Sequence, residues 1–286
     1  MSQKGKLKNG IIAVAGLALI VGVTFAVLRV KRDPVRIAIV DTGIDLQKNP
    51  QLKVAVDQPE SAPTDAAGHG TQVALEVFAR CPECKIIPIQ ISASGGGIQI
   101  PDLTRALEES VKRGANVVNF SFGITFPPNE APAHAQEVAA LRAAVTQAQS
   151  QNVVLVAAAG LGVPNPFRPL PLTDLFPHSL GGLIVVGAAR GLDAADPLSN
   201  FGPLLDLVVL QPDAPQAGFL NSSIASAQVA GVIGKFISKS LTHFTPAKIK
   251  ELLKKSAQPA SPKLAAEDRD RMGAGAFDIQ AFLNSF

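Results

Sequence analysis

The sequence predicts an α/β fold, in which a parallel sheet carries helices on both faces, preceded by one N-terminal transmembrane helix. Three observations lead to this prediction. Residues 10–28 form an uncharged apolar segment of 19 residues, which is long enough to cross a bilayer. After it, short runs rich in Val and Ile alternate with longer segments of helical period. Hydrophobic residues make up 47% of the 286 residues and charged residues 17%, which excludes a disordered chain.

The N-terminal segment reads GIIAVAGLALIVGVTFAVL and would span roughly 28 Å as a helix. We therefore divide the chain into a basic tail (1–9), a transmembrane anchor (10–30), a linker (31–34) and a domain (35–286). Two alternatives stay open: a signal peptide cleaved after Ala26, or a buried helix of a soluble protein. Basic residues flank both ends, so charge does not orient the segment. A short tail before a large domain favours export of that domain to the periplasmic or extracellular face.

The net charge of +3 is concentrated at the N-terminus. Residues 1–36 hold seven of the 26 basic side chains and one of the 23 acidic ones. The rest of the chain therefore has 19 basic and 22 acidic side chains, a net charge of −3. This balance, with no Trp or Tyr for base stacking, argues against a nucleic-acid partner. The partners expected at this point are the membrane, through residues 10–30, and a membrane protein.

The elements of the domain follow one another in the α/β pattern. Apolar or alternating runs predict strands over 35–40, 85–91, 116–120, 153–158 and 183–187. Apolar faces of helical period predict helices over 72–79, 102–113, 137–151 and 224–240. Pro88 indicates a bulge or an edge position in the second strand. Thr245 as N-cap and Pro246 at the first position predict the start of another helix. Ligands of such a sheet bind at the carboxyl ends of its strands.

Three residues in three segments carry nucleophilic chemistry. Asp41 follows the first strand, His69 lies between two glycines before a helix, and Ser223 comes just before the long apolar helix. A serine hydroxyl becomes a nucleophile when an imidazole accepts its proton, and a buried carboxylate holds that imidazole in the correct tautomer. The order Asp, His, Ser is one of the serial orders in which such triads occur.

The sequence resembles the subtilases, the subtilisin-like serine proteases, from about residue 35 to the C-terminus. Six segments match the motifs of that family in order: IAIVDTGID, GHGTQVA, VVNFSFG, VVLVAAAG, SIASAQVAG and GAGAFDIQAF. The resemblance implies a subtilisin-like sheet and a serine endopeptidase in which Asp41 orients, His69 is the base and Ser223 attacks. Ser222 takes the place of the threonine that usually precedes the nucleophile.

The sequence departs from the family at the oxyanion hole. Where the family has an Asn that donates a hydrogen bond to the developing oxyanion, this chain has Leu161, which cannot donate. The remaining donors are the Ser223 amide and the Ser222 hydroxyl, while Asn165 could fold back into the site or be an ordinary turn residue. We therefore expect a low activity. Asn221, where the family has Gly, would crowd the approach to Ser223.

The resemblance also implies which segments flank the substrate. The candidate substrate-binding residues are Ser94, Gly95, Gly96, Ser121, Phe122, Gly123 and Gly160. An extended peptide would pair with backbone groups there, although the glycine-rich stretch could equally be a flexible loop. Because no acidic cluster stands where the family often inserts a calcium loop, we expect no metal site and no cofactor.

Cys81 and Cys84 are the only cysteines in the chain and form a CPEC motif after a predicted helix. Two cysteines cannot complete a zinc site, and a redox pair normally opens a helix rather than following one. We interpret them as a local disulfide candidate or as two idle thiols. The same fold without efficient catalysis would serve as a peptide-binding or scaffold protein, and this alternative to the protease stays open.

Overall fold

The structure is a computed structural model that describes residues 33–91, 97–125, 130–161, 170–196, 199–211 and 221–285. The predicted tail and anchor, the first part of the linker, the three candidate residues Ser94, Gly95 and Gly96, and Asn165 lie outside these ranges. Among the described residues, no helix combines the length and the apolar character that a membrane crossing requires.

A central sheet forms the middle layer of the domain. Its strands are β1 (Arg36–Asp41), β2 (Lys85–Gln90), β3 (Val117–Phe120), β4 (Val154–Ala158), β5 (Ile184–Gly191), β6 (Ala194–Ala195) and β7 (Leu207–Leu210). The strands run in the order β2-β1-β3-β4-β5, and β5 also pairs with β6 and β7. Pro88 lies in the edge strand β2, which is the second of the two predicted alternatives, and its missing N–H interrupts no ladder with a further strand.

The sheet is mixed, and the prediction of a purely parallel sheet was wrong in this respect. All pairings among β1 to β5 and between β5 and β7 are parallel, but β6 pairs antiparallel with β5. β6 is only two residues long and follows β5 through a tight connection, so the chain has no room for the crossover that a parallel partner needs.

Helices cover both faces of the sheet. They are α1 (His69–Arg80), α2 (Ile100–Lys112), α3 (Ala135–Ser150), α4 (Asn221–Lys239), α5 (Pro246–Ser256) and α6 (Ile279–Leu283). Thr245 caps α5 by accepting a hydrogen bond from the Lys248 amide, and Pro246 opens it, as predicted. Short 3₁₀ helices occupy Pro50–Val54, Pro59–Ser61, Ala131–His134, Leu172–Asp174, His178–Leu180 and Ala266–Arg271.

Two apolar clusters, one on each face of the sheet, make up the core. One packs the alternate side chains of the strands against α1, α4, α5 and α6, with Val73, Val229 and Phe282 completely buried. The other packs the opposite strand face against α2 and α3, through residues such as Leu107 and Leu141. The period-2 alternation of each strand is thus divided between the two clusters, as a sheet with helices on both faces requires.

Two helices begin earlier in the chain than the apolar periodicity indicated. α1 starts at His69 rather than at residue 72, and α4 starts at Asn221 rather than at residue 224. His69 and Ser223 therefore lie inside the first turns of these helices, not before them as predicted. The first turn of each helix is made of small or polar residues, which give no apolar signal although their backbone is helical.

Candidate active site

Three chain segments meet at the carboxyl edge of the sheet. Asp41 is the last residue of β1, Ser121 follows β3, and Gly160 follows β4 by two residues. The registers Val40↔Phe120 and Phe120↔Ala157 align the ends of these three adjacent strands. The sheet itself thus gathers the segments that the sequence motifs single out.

Asp41 and His69 form a partly buried, hydrogen-bonded pair at this edge. The Asp41 Oδ1 atom lies 2.7 Å from the His69 Nδ1 atom, and the two side chains are 2% and 14% exposed. The same carboxylate oxygen accepts a hydrogen bond of 2.7 Å from the Thr42 amide. Because a carboxylate only accepts, the imidazole hydrogen lies on Nδ1, and Nε2 becomes the basic nitrogen of the neutral ring.

The two glycines beside His69 have different roles. Gly68 adopts φ +78° immediately before the helix, a left-handed conformation that favours glycine. At Gly70, a Cβ would lie 2.3 Å from the Gly43 carbonyl oxygen and 3.1 Å from the Asp41 carboxylate. The absence of a side chain there lets α1 approach the end of β1, and this contact brings His69 to Asp41.

Ser223 is buried in the first turn of α4, with 4% of its surface exposed. Its hydroxyl donates a hydrogen bond of 3.1 Å to the Ser121 carbonyl oxygen. A hydroxyl has one hydrogen, so the Ser223 hydroxyl that donates to Ser121 does not give that hydrogen to a base at the same time. Transfer of that proton to His69 requires the hydroxyl to turn from Ser121 first.

The start of α4 also offers donors for an oxyanion. The Ser223 amide is one of the first-turn N–H groups for which an α-helix provides no partner of its own. Ser222 is buried beside it, and its hydroxyl oxygen accepts a hydrogen bond of 3.1 Å from the Gly160 amide. A hydroxyl that accepts retains its own hydrogen, so Ser222 keeps the capacity to donate. The Asn221 side chain lies outside the part of the structure that is described.

Leu161 lies in a backbone arrangement that Asn200 holds in place. The Asn200 side chain, 1% exposed, donates to the carbonyl oxygens of Ala159 (2.9 Å) and Leu161 (3.3 Å) and accepts from the Leu170 amide (2.8 Å). Gly160 between them has φ +76°. The loop thus leaves β4 in a defined course, with an apolar side chain at position 161.

The segment 121–123 continues from β3 and packs on a buried histidine. Phe122 stacks edge-to-face on Phe120, with ring centroids 6.3 Å apart. A Cβ at Gly123 would lie 2.8 Å from the His178 ring, so that ring lies directly behind the segment. His178 Nε2 donates to the Ala158 carbonyl oxygen at 2.8 Å. Burial lowers the pKa of His178 to about 4, although its hydrogen bonds to backbone carbonyls act in the opposite direction.

The structure adds side chains that the sequence analysis missed. Asp65 and Thr42 hydrogen-bond to each other at 2.7 Å beside the Asp41–His69 pair, and Asn200 organises the loop at Leu161. Asp65 stands four residues before His69, in reach of the start of α1, and this spacing was the available signal. Asn200 is far from its partners in sequence, and no local pattern indicates its role.

Cys81 and Cys84 form a disulfide directly after α1 and are both buried. A Cβ at Gly234 of α4 would lie 3.0 Å from the Cys84 sulfur, so the bridge packs closely on that helix. In the part of the chain that the structure describes, no group of three or more His, Cys, Asp or Glu side chains is arranged to hold a metal ion.

Comparison with known proteins identifies the family. A family model described as the subtilase family matches residues 32–275. Subtilisin DY from Bacillus licheniformis is 27% identical over 225 residues, which cover 72% of this chain and 77% of the relative. A thermophilic serine proteinase from Bacillus sp. (strain AK1) is 26% identical over 226 residues, covering 71% of this chain but only 52% of that relative.

Solved structures share the fold over most of the chain. The prenylagaramide maturation protease PagA superposes with a TM-score of 0.69 at 26% identity, covering 88% of this chain and 93% of its own. The patellamide maturation protease PatA gives 0.68 at 25% identity, with coverages of 87% and 95%. The epidermin leader peptide processing protease from Staphylococcus aureus gives 0.70 at 20% identity, with coverages of 89% and 75%, and shows the fold alone.

Proposed function

This chain belongs to the subtilase family, and from that premise we propose that it is a serine endopeptidase acting through Asp41, His69 and Ser223. The observation that carries the proposal is the partly buried hydrogen bond of 2.7 Å between Asp41 and His69, at the sheet edge where Ser223 also lies. Removing such a pair from water costs desolvation energy. General-base catalysis is a function that would account for its presence.

In the proposed mechanism, Asp41 holds the His69 ring with its Nδ1 hydrogen fixed and stabilises the imidazolium that forms. The Ser223 hydroxyl turns from Ser121, gives its proton to His69 and attacks the peptide carbonyl. The developing oxyanion receives hydrogen bonds from the Ser223 amide and the Ser222 hydroxyl. His69 then returns the proton to the leaving amine, and water releases the acyl group by the same steps.

The substrate we propose is an extended segment of a peptide or protein. The backbone of 121–123 continues from β3 at the site and offers groups for pairing with such a segment. Two of the similar structures, at 26% and 25% identity, are named as maturation proteases. Their names favour cleavage of a particular precursor at a defined site over general digestion.

Activity in this proposal is low, because Leu161 supplies no donor where the family has one. The same observation favours a second candidate function, a peptide-binding or scaffold protein that keeps the triad but turns over slowly or not at all. The two candidates differ in one measurable property, the reactivity of the Ser223 hydroxyl.

A fluorophosphonate probe, which reacts with activated serines, tests the proposal on the full chain in detergent. We expect labelling of the wild type and none of Ser223→Ala. Ser238→Ala, at the far end of the same helix, is the matched control and should label like the wild type. Absence of labelling in a folded wild-type protein would overturn the protease proposal in favour of the scaffold.

We further propose that residues 10–30 anchor the protein and that the domain faces the periplasm or the cell exterior. The apolar segment supports the anchor, and the disulfide supports an oxidising compartment. Intact mass of the purified protein distinguishes an anchor from a signal cleaved after Ala26. Protease protection in sealed vesicles tests the orientation, because an exported domain is digested only from the outer side.

A further inference from the structure

Asp65 is a second buried carboxylate near the Asp41–His69 pair. It lies four residues before His69, on the chain that leads into α1, and is 7% exposed. It does not belong to the proposed triad, and the mechanism above gives it no role. A buried carboxylate is costly unless hydrogen bonds satisfy both of its oxygens.

Both Asp65 oxygens are satisfied by donors from two segments. Oδ2 accepts from the Thr71 amide (2.8 Å) and the Thr71 hydroxyl (2.6 Å). Oδ1 accepts from the Gly68 amide (2.8 Å) and the Thr42 hydroxyl (2.7 Å). Burial acts to raise the pKa of Asp65, but these hydrogen bonds from Thr71, Thr42 and Gly68 outweigh it and hold the pKa below its ordinary value. The group is therefore an anion at neutral pH.

Three of the four bonds come from residues on either side of His69. Gly68 and Thr71 bracket it in the first turn of α1, where Gly68 as N-cap has no side chain to cap the helix. Asp65 takes over that capping function, and its negative charge suits the positive end of the helix dipole. The orientation of the first turn, and with it the direction of the imidazole, is thus fixed to the Asp65 carboxylate.

The fourth bond reaches the other partner of the pair. Thr42 directly follows Asp41, and its amide donates to the Asp41 carboxylate. The Thr42 hydroxyl donates to Asp65 and accepts from the Gly70 amide at 3.0 Å. The Thr42 side chain, directly after β1, is therefore bonded both to Asp65 and to Gly70, the residue after His69. In this way Asp65 joins the two segments that carry Asp41 and His69.

We propose that Asp65 is a positioning residue, which sets the hydrogen bond between Asp41 and His69 by tying the end of β1 to the first turn of α1. This inference rests on the proposed protease function for its kinetic consequence, but its structural consequence stands independently. A displacement of about 1 Å between catalytic groups can cost about 10²-fold in rate. Loss of the Asp65 hydrogen bonds should therefore change both the labelling rate and the hydrogen bond between Asp41 and His69.

The test compares Asp65→Ala with Asp278→Ala in the full chain. Asp278 caps α6 by accepting from the Ala281 amide, and it lies outside the machinery described above, so its removal weakens a helix start without touching His69. We expect Asp65→Ala to lower the saturating rate of fluorophosphonate labelling by roughly 10- to 100-fold. The probe concentration at half-saturation should stay unchanged, and Asp278→Ala should label at the wild-type rate.

A double-mutant cycle separates positioning from a general loss of structure. If Asp65 acts through the Asp41–His69 pair, adding Asp65→Ala to Asp41→Asn should slow labelling by less than about threefold, because the pair is already broken. Equal losses in the wild-type and Asp41→Asn backgrounds would overturn the proposal. So would wild-type labelling rates in folded Asp65→Ala. If Asp65→Ala does not fold, Thr71→Val removes one of the four bonds, and the same cycle is run with it.

Proton NMR gives a readout that does not need activity. The His69 Nδ1 hydrogen, held between nitrogen and carboxylate, should give a far-downfield resonance that disappears in His69→Gln. We expect it to broaden or vanish in Asp65→Ala and to persist in Asp278→Ala. Were the wild type not labelled at all, the protease proposal would fail, and this resonance alone would decide the inference: its persistence in Asp65→Ala would refute positioning.

Discussion

The Ser223 hydroxyl and the Ser121 carbonyl oxygen are joined by a hydrogen bond of 3.1 Å between the first turn of α4 and the end of β3. The bond fixes the proposed nucleophile beside the segment that would receive the substrate. It is a neutral hydrogen bond, and such bonds contribute about 1 kcal/mol to stability. The hydroxyl therefore matters little to the fold, and much to the proposed chemistry.

We accordingly expect Ser223→Ala to lower the free energy of unfolding by only about 1 kcal/mol, while it abolishes fluorophosphonate labelling. Urea denaturation and labelling of the same preparation measure the two effects. Ser110→Ala is the control for stability, because Ser110 is also buried and donates to a single carbonyl, that of Ala106. A loss at Ser223 far above that at Ser110 would indicate that Ser223 is chiefly a structural serine.

Much of this fold was predictable because apolar periodicity and strand order are local signals. β1, β3, β4 and the middle of each major helix follow from them directly. The sequence analysis missed β7. This strand has only four residues, Leu207–Leu210, and directly follows a buried Asp206. The helix starts were misjudged because His69, Ser222 and Ser223 give no apolar signal, although their backbone is helical.

Less of the candidate site was predictable, because its geometry arises between distant segments. Motif order indicated Asp41, His69 and Ser223 as residues, but not the bond from Ser223 to Ser121. Asp65 and Asn200 have partners that only the folded chain brings near, such as Thr42 for Asp65. A buried polar side chain is recognised by its satisfied hydrogen bonds, and these are absent from the sequence.

Leu161 should limit the rate of the proposed reaction. Removal of one oxyanion donor from a serine protease site costs about 10²–10³-fold in turnover, so adding one can restore part of that loss. We expect Leu161→Asn to raise the saturating rate of labelling at least about tenfold. Leu161→Ala is the control, since it shortens the side chain even further than asparagine does and adds no donor. Equal gains in labelling rate in both variants would show that the bulk of Leu161 obstructs the site, and that the missing donor is not the limit.

Substitutions at the two glycines beside His69 should have unequal effects. At Gly68 nothing lies within 4 Å of an added Cβ. Gly68→Ala should therefore lower the free energy of unfolding by about 1–2 kcal/mol, because of the positive φ alone. At Gly70 the Cβ meets the Gly43 carbonyl oxygen and the Asp41 side chain, so the helix must move from β1. We expect labelling to fall about 10²-fold or more in Gly70→Ala and far less in Gly68→Ala. Similar rates in both would contradict the close approach of α1 to β1.

His178 should make the protein sensitive to acid. An unfolded histidine has a pKa of about 6.5, whereas burial lowers that of His178 to about 4. As the pH falls between these values, the unfolded state binds a proton that the folded state does not. Stability contributed by the neutral ring is thus complete above about pH 6.5 and is lost toward pH 4, by about 3 kcal/mol.

We expect His178→Gln to flatten this acid dependence, because glutamine can donate to the Ala158 carbonyl oxygen but does not titrate. The measurement is the free energy of unfolding in urea at pH 7 and pH 4.5 for the wild type and the variant. His243→Gln, at an exposed position, is the control and should keep the wild-type dependence. If His178→Gln and His243→Gln lose equal stability between these pH values, the acid sensitivity arises elsewhere. Burial of His178 behind Gly123 would then not lower its pKa as proposed.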